Sequence, residues 1–193
     1  MIKKIRSALN FNNDQIKFPD EVLENWHVNF IIHMASILRP ACYVELGLYQ
    51  CELFNRMIPY CGRLYGVDIV ESVSSYMKKS SKTNFHCNST EEFAKYAQSN
   101  NLQIDILFID ADHSYESVKN DFEKFFPLVK DNGIILLHDS YPKDAAHTDG
   151  GYCGDGYKAI VELTKSQIGF EMVTIPLHPG LTIARKREAH LPW

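Results

Sequence analysis

Sulfur chemistry has little material in this chain. The five cysteines, Cys42, Cys51, Cys61, Cys87 and Cys153, are widely spread and include no C-x-x-C pair. An odd count without paired spacing argues against a disulfide framework or zinc ribbon and predicts reduced, mostly buried thiols. Charge is nearly balanced. Twenty Lys and Arg face 24 Asp and Glu, giving a net charge of -4. No basic block stands out, so neither nucleic acid nor an acidic membrane surface is an expected partner. Long apolar runs are also missing. The stretch Val28 to Leu38 is interrupted by Asn29 and His33 and is too short to cross a bilayer. The charged start Met-Ile-Lys-Lys-Ile-Arg is followed by no apolar segment or cleavage site, so no signal peptide is expected and the reading is cytoplasmic. A dinucleotide fingerprint is missing too. Gly47 stands alone, with Tyr49 and Glu52 where G-x-G-x-x-G needs its second and third glycines.

The chain has 193 residues, 45% hydrophobic and 23% charged, the composition of one globular domain with a sizeable core. Residues 1–40 read as an N-terminal segment and helix, and residues 41–187 as an α/β core. Asp20 is a plausible N-cap for a helix from Glu21 to Leu38 that Arg39-Pro40 ends. Strands are predicted at Cys42–Leu46, Arg63–Asp68, Asn84–Cys87, Ile104–Ile109 and Ile134–Leu137, then Glu171–Ile175 and Leu181–Arg185. Helices are predicted after a turn at Gly47 to about Pro59, from about Glu71, from Ser89 or Thr90, over Ser114–Val129 and over Tyr157–Ser166. Asp131-Asn-Gly133 reads as a turn. The link Pro176–Gly180 is too short for a crossover helix, so the last two strands should be antiparallel. The sum is an α/β three-layer sandwich with a mostly parallel seven-stranded sheet and an antiparallel C-terminal hairpin.

The densest chemistry is Asp105-Ile-Leu-Phe-Ile-Asp-Ala-Asp-His-Ser-Tyr115, an apolar strand ending in two acids and a histidine. His138-Asp-Ser140 follows the next strand, 25 residues after His113. If those strands are parallel neighbours, Asp110 and Asp139 can chelate one hard cation, with His138, Ser140 or water completing the shell. The structural alternative is that Asp112 caps a helix, His113 lies on the surface and Asp139 caps a loop. Histidine is the side chain best suited to proton transfer near neutral pH, which makes His113 a candidate general base. The Gly47 turn lets a ligand approach the backbone closely, with free N–H groups of a helix behind it. Asp68 ends the second strand 21 residues after Gly47 and can accept from ribose hydroxyls or cap a helix. Glu45, a carboxylate inside an apolar strand, needs a partner. His27 and His33 read as packing or surface residues, and Trp26 and Trp193 as residues that pack or lie near the termini. The Gly150–Gly156 loop is either a lid or a flexible connection.

These motifs resemble the class I S-adenosylmethionine-dependent methyltransferases. The nearest branch is the small O-methyltransferases that include macrocin-type and cephalosporin-hydroxylase-like proteins. Val-Glu-Leu-Gly-Leu-Tyr49 resembles the family's first motif and Asp68 its second-strand acid. Phe-Ile-Asp-Ala-Asp-His-Ser-Tyr115 resembles its fourth-strand motif, and Leu-Leu-His-Asp-Ser140 the end of its fifth strand. The resemblance implies a Rossmann-like fold that binds S-adenosylmethionine. Glu45 and Gly47 would lie beside its methionine part, with Tyr49 and Asp110 also in contact. Asp68 would hold the ribose, and Ser89 and Thr90 the adenine. It further implies magnesium or another divalent cation at Asp110, His138 and Asp139, with His113 and Asp110 as catalytic groups. The expected reaction is O-methylation of a small hydroxylated acceptor. A non-catalytic cofactor-binding protein is the alternative, and an NAD-dependent oxidoreductase is disfavoured by the missing glycines. Base rates make a homodimer the default assembly.

Overall fold

A computed structural model describes residues 25–166 and 168–187. Among these residues the strands are β1 Cys42–Leu46, β2 Arg63–Asp68, β3 Thr83–Cys87, β4 Ile104–Ile109, β5 Val129–His138, β6 Phe170–Ile175 and β7 Leu181–Lys186. The α-helices are α1 Trp26–Leu38, α2 Glu52–Met57, α3 Thr90–Ser99, α4 Tyr115–Phe125 and α5 Tyr157–Ser166. All strands join one sheet in the order β3-β2-β1-β4-β5-β7-β6. β1 to β5 pair in parallel, and β7 runs antiparallel to both β5 and β6. This is the sheet, with its antiparallel hairpin, that the sequence predicts.

Alternation along the strands builds the three layers, because successive side chains point to opposite faces. Val44, Leu46, Leu107, Ile109, Ile135 and Leu137 pack with Phe93 of α3, Phe122 and Phe125 of α4 and Ile160 of α5. Tyr43, Leu64, Ile106, Phe108 and Leu136 pack with Val28, Ile31 and Ala35 of α1 and with Leu53, Phe54 and Met57 of α2. β1 is buried at all five positions, as a central strand covered on both faces should be.

The register then places the site. Leu46 pairs with Val67 on one side and Ile109 on the other, and Ile109 pairs with Leu137. The carboxyl ends of β2, β1, β4 and β5 therefore finish on one level. Gly47, Asp68, Asp110 and His138, separated by up to 91 positions in the chain, emerge along a single rim. The centre of that rim is the β1–β4 junction, where the strand order reverses and open α/β sheets bind ligands.

Several local expectations need correction. The helix after Gly47 is only Glu52–Met57, because Tyr49 and Cys51 take positive φ values of 47° and 56° and hold the chain in a turn until then. Glu71–Tyr76 is a 3₁₀ segment in place of an α-helix. α4 ends at Phe125, Phe126–Leu128 forms a 3₁₀ turn, and Val129 already belongs to β5. Phe126 is only partly buried against the core. Asp131-Asn-Gly133 lies in a bulge within β5, where the register jumps between Ile104↔Val129 and Ile106↔Ile134. α1 starts at Trp26 with Asn25 as N-cap; residues 1–24, including Asp20, and Trp193 lie outside the described residues. All five cysteines are free thiols. Among the described residues no helix is long and apolar enough to cross a membrane.

Candidate active site

Gly47 is where the rim is tightest. Its φ is +82°, a left-handed conformation that side chains resist. Its N–H donates to the Val67 carbonyl at 2.9 Å, and the Asp110 N–H donates to the Leu46 carbonyl at 2.9 Å. A Cβ at this position would lie 2.6 Å from the Ala111 Cα and 2.7 Å from the Asp110 carbonyl carbon. The close approach expected here for a ligand is thus made by the chain's own β4 loop. The N–H groups expected to be free behind the turn are partly used: Leu48 N–H donates to Asp68 Oδ2 at 3.0 Å. Tyr49 is 81% exposed, so it can meet a ligand only at the rim.

On the α3–α4 side of the rim lies a cavity of about 930 Å³. Gly47, Asp68 and Ile69 line it together with Asn88, Ser89 and Thr90 and with Asp112, His113 and Asp121. Asp68 does not cap a helix. Its carboxylate accepts from the Leu48 N–H and, at 2.9 Å, from the Val70 N–H, which fixes it at the cavity edge. Ser89 caps α3 in a reciprocal capping box with Glu92, as Ser at N-cap and Glu at N3 favour. Thr90 donates its hydroxyl to Asp121 Oδ1 at 2.6 Å. Asp121 is buried, and burial pushes its carboxyl up to about 6. Asn88 Oδ1 is buried and has no partner among the described residues. Asp112 accepts from the Ser114 N–H at 2.7 Å, while Ser114 itself caps α4. The glycine-rich loop packs directly on this corner: Gly156 N–H donates to the His113 carbonyl at 2.7 Å, and Gly154 lies against the same carbonyl.

On the α1–α2 side lies a second cavity of about 520 Å³. Its walls include His27, Glu45, Asp110, His113, His138 and Asp139. Glu45 and Tyr43 share one strand face, and the Tyr43 hydroxyl donates to Glu45 Oε2 at 2.5 Å. Burial, helped by the nearby Asp110 charge and opposed by the Tyr43 bond, pushes the Glu45 carboxyl up to about 8. The partner this acid needs is therefore supplied in part by its own strand.

The structure gathers Asp110, His113 and Asp139, with one ligand atom of each within 4.8 Å of the others. Two hydrogen-bond acceptors surround His113 Nδ1, the Tyr152 carbonyl at 2.5 Å and Asp139 Oδ2 at 3.2 Å. That nitrogen accordingly carries the proton, and in the neutral ring Nε2 keeps the lone pair, 3.7 Å from Asp110 Oδ1. His138 sits behind this cluster. Its Nδ1 lies 2.8 Å from Asp110 Oδ1 and 3.5 Å from Asp139 Oδ2, while its Nε2 is buried without a partner among the described residues. Burial alone would lower the His138 pKa, but the Asp110 and Asp139 carboxylates overcome it and push it up to about 10. Asp139 is held below the usual carboxylate range by His138 and His113 despite its burial.

His27, expected to be a packing or surface residue, is part of this site. Its ring centroid lies 4.2 Å from that of His138. It is nine-tenths buried, its Nδ1 has no partner among the described residues, and burial plus the neighbouring His138 charge lower its pKa to about 3. The signal was its spacing: His27, Ile31 and Ala35 recur at helical intervals on the buried stripe of α1. Asn88 and Asp121 were also missed, although Asn88 adjoins the Ser89 cap. His33 is exposed, as expected.

A two-part cavity on the rim of this sheet belongs to a known class. Residues 32–140 match the methyltransferase domain family, and the chain belongs to that family. Its fold is that of the class I S-adenosylmethionine-dependent methyltransferases. The match spans β1 to the end of β5 and contains every rim residue named above from Glu45 to Asp139. Protein R132 of Acanthamoeba polyphaga mimivirus is 29% identical over 111 residues, 50% of this chain and 50% of that protein, so the match spans about half of that relative. The O-methyltransferase of Bacillus cereus, solved in complex with S-adenosylhomocysteine, superposes with a TM-score of 0.71 at 12% identity, covering 96% of this chain and 89% of that one. The Podospora anserina methyltransferase PaMTH1, also bound to S-adenosylhomocysteine, gives 0.68 at 14% identity, with 96% of each chain covered. MycE, from the mycinamycin biosynthetic pathway, was solved with magnesium, S-adenosylhomocysteine and mycinamycin VI. It gives 0.61 at 15% identity, covering 86% of this chain and 52% of that one.

Proposed function

We propose that the protein transfers a methyl group from S-adenosylmethionine to a hydroxyl of a small acceptor. The observation that carries this is the pair of adjoining cavities, which share Gly47, Asp68, Ala111 and His113 in their walls. The larger one suits the nucleoside. Asp68 stands at its edge to accept from ribose hydroxyls, and the orphaned Asn88 Oδ1 and the Thr90–Asp121 pair offer acceptors for an adenine amino group. Glu45 in the smaller cavity, close to neutral when the site is empty, gains a counter-ion when the cofactor's ammonium group arrives. The acceptor then enters beside His27, Asp110 and His113. The cofactor supplies an electrophilic methyl on a positive sulfur, so the enzyme's task is to position the acceptor oxygen and remove its proton. His113 Nε2 is the base, with its ring orientation and tautomer fixed by Tyr152 and Asp139. Holding both reactants on one rim supplies much of the rate by orientation.

The donor set also fits a divalent cation. Two carboxylates, Asp110 and Asp139, with an imidazole suit magnesium, manganese or iron. When bound, such an ion would lower the pKa of the acceptor hydroxyl. The imidazole the geometry adds to the pair is that of His113, which as a ligand of the ion would no longer serve as the base, while His138 Nδ1 is already engaged by Asp110. The likeness to MycE, solved with magnesium, supports this reading. Methyl transfer from labelled S-adenosylmethionine to a panel of catechols and sugars, with and without chelator, tests both parts. Turnover that EDTA removes, and that Asp139→Asn loses, supports the cation. Turnover untouched by EDTA leaves a cation-free methyltransferase. Cofactor binding with no transfer to any hydroxyl would favour the non-catalytic alternative.

A further inference from the structure

We infer that Tyr43 is a positioning residue for cofactor binding: its hydroxyl holds one oxygen of Glu45 so that the other meets the cofactor's ammonium group, and the site thereby selects adenosyl ligands that carry a free amine. The inference rests on the cofactor reading above and assigns the buried residue on which amine recognition depends. Tyr43 lies on β1, wholly buried in the apolar layer that α1 and α2 cover, with its ring centroid 6.4 Å from that of Phe54. Its sheet neighbours are Leu64 on β2 and Ile106 on β4. A phenylalanine would fill that space as well. The hydroxyl is the feature that packing does not need, and a buried tyrosine hydroxyl usually has a partner. Here the partner is Glu45 Oε2 at 2.5 Å, two residues nearer the rim on the same strand face.

Glu45 has little else to hold a charge with. It is 3% exposed, yet it lines the second cavity. Its sheet neighbours are Gly66 and Phe108, neither of which offers a side-chain donor. Among the described residues no Lys, Arg or His pairs with its carboxyl, and Tyr43 is its hydrogen-bond partner. Burial drives the carboxyl towards its neutral form, and the Tyr43 bond works against that. Both oxygens of an ionised carboxylate accept, so with Oε2 tied to its own strand, Oε1 is the one left for a ligand. An ammonium group brought to it forms a charge-assisted hydrogen bond, stronger than a neutral one. A hydroxyl already donating to the carboxylate lowers the cost of ionising it in a dry site. Without that donor Oε2 would be bare, and holding the charge against the ammonium group would cost more. A ligand that lacks the amine gains nothing from the arrangement.

The test is calorimetry on the full chain with S-adenosylhomocysteine and with its deamino analogue, which keeps the nucleoside, the thioether and the carboxylate and lacks only the amine. The wild-type protein should bind S-adenosylhomocysteine more tightly by about tenfold, equivalent to about 1.4 kcal/mol. Tyr43→Phe should remove most of that preference and leave the affinity for the analogue unchanged. Glu45→Gln keeps an oxygen for Tyr43 but loses the charge, so it should remove the preference too, and adding Tyr43→Phe to it should change the preference no further. A loss of affinity shared equally by both ligands would show Tyr43 to be a packing residue alone and would overturn the inference, as would an unchanged preference in Tyr43→Phe. Equal affinities in the wild type would overturn it while leaving the cofactor reading intact. If Tyr43→Phe does not fold, Glu45→Gln decides: a preference that survives there overturns the inference, because Tyr43 acts only through Glu45, and a preference lost there supports it. Failure of the wild type to bind S-adenosylhomocysteine would remove both readings.

Discussion

Replacing Gly47 by alanine probes the joint on which the whole rim depends. The new Cβ would overlap the Asp110 carbonyl and sit 2.6 Å from the Ala111 Cα, and the residue would have to hold φ at +82°. The left-handed backbone costs about 1–2 kcal/mol for a residue with a side chain. The overlap is with backbone just beyond the end of a central strand, which cannot swing aside like a side chain, and forced shifts of that kind cost about 1–3 kcal/mol more. The total is about 2–5 kcal/mol, which for a chain of this length lowers Tm by about 10 °C. The shift also moves Asp110 relative to Asp139 and opens the wall shared by the two cavities. Loss of S-adenosylhomocysteine binding should therefore accompany the loss of stability. Gly150→Ala is the control, since nothing lies within 4 Å of its Cβ. Urea and thermal unfolding of both variants, with cofactor titration of the folded fraction, make the comparison. If Gly47→Ala kept wild-type stability and affinity, the account of the rim as a close-packed backbone joint would be refuted.

Three further outcomes are expected. Burial raises the Asp121 carboxyl to about 6, so between about pH 4 and 6 the folded chain binds more protons than the unfolded one and stability falls as pH rises. Asp121→Asn, which keeps an oxygen for Thr90, should flatten that slope and stabilise the protein by about 2–3 kcal/mol above pH 6, read from melts at pH 5 and 8. Glu45 is held near neutral by burial in the empty site and should ionise against the cofactor's ammonium group. Binding of S-adenosylhomocysteine at pH 7 should then release protons, seen as a dependence of calorimetric enthalpy on buffer, and Glu45→Gln should abolish that release. Cys87 is exposed while the other four thiols are buried, so a thiol reagent should label one group rapidly in the native protein and five after unfolding.

The alternation of apolar runs with turn signals made the sheet legible from sequence. β4 and its polar end could be read almost residue by residue, because a strand buried on both faces announces itself by composition. What could not be read depends on contacts between distant segments. Tyr49 and Cys51 adopt left-handed conformations that no glycine advertises, so α2 was expected to begin too early. Asp131-Asn-Gly133 has the composition of a turn, yet the Lys186 ammonium bonds the Val129 carbonyl at 2.7 Å and the ladder resumes beyond a bulge. The rim acids were identified because parallel pairing forces strand ends together. His27 was not, because the period of α1 shows which stripe is buried and says nothing of what it is buried against. The glycine-rich loop, left between lid and connection, is a wall, through the bonds of Tyr152 and Gly156 to His113.

One rim is proposed to hold an adenosyl cofactor and its acceptor in adjoining cavities. A crystal structure of the protein with S-adenosylhomocysteine is the test of this arrangement. Ribose density is expected against Asp68, adenine between Asn88 and Asp121, and the sulfur beside Gly47 facing His113. Density for the ligand elsewhere, with the space between Asp68 and Asp121 filled only by water, would contradict it.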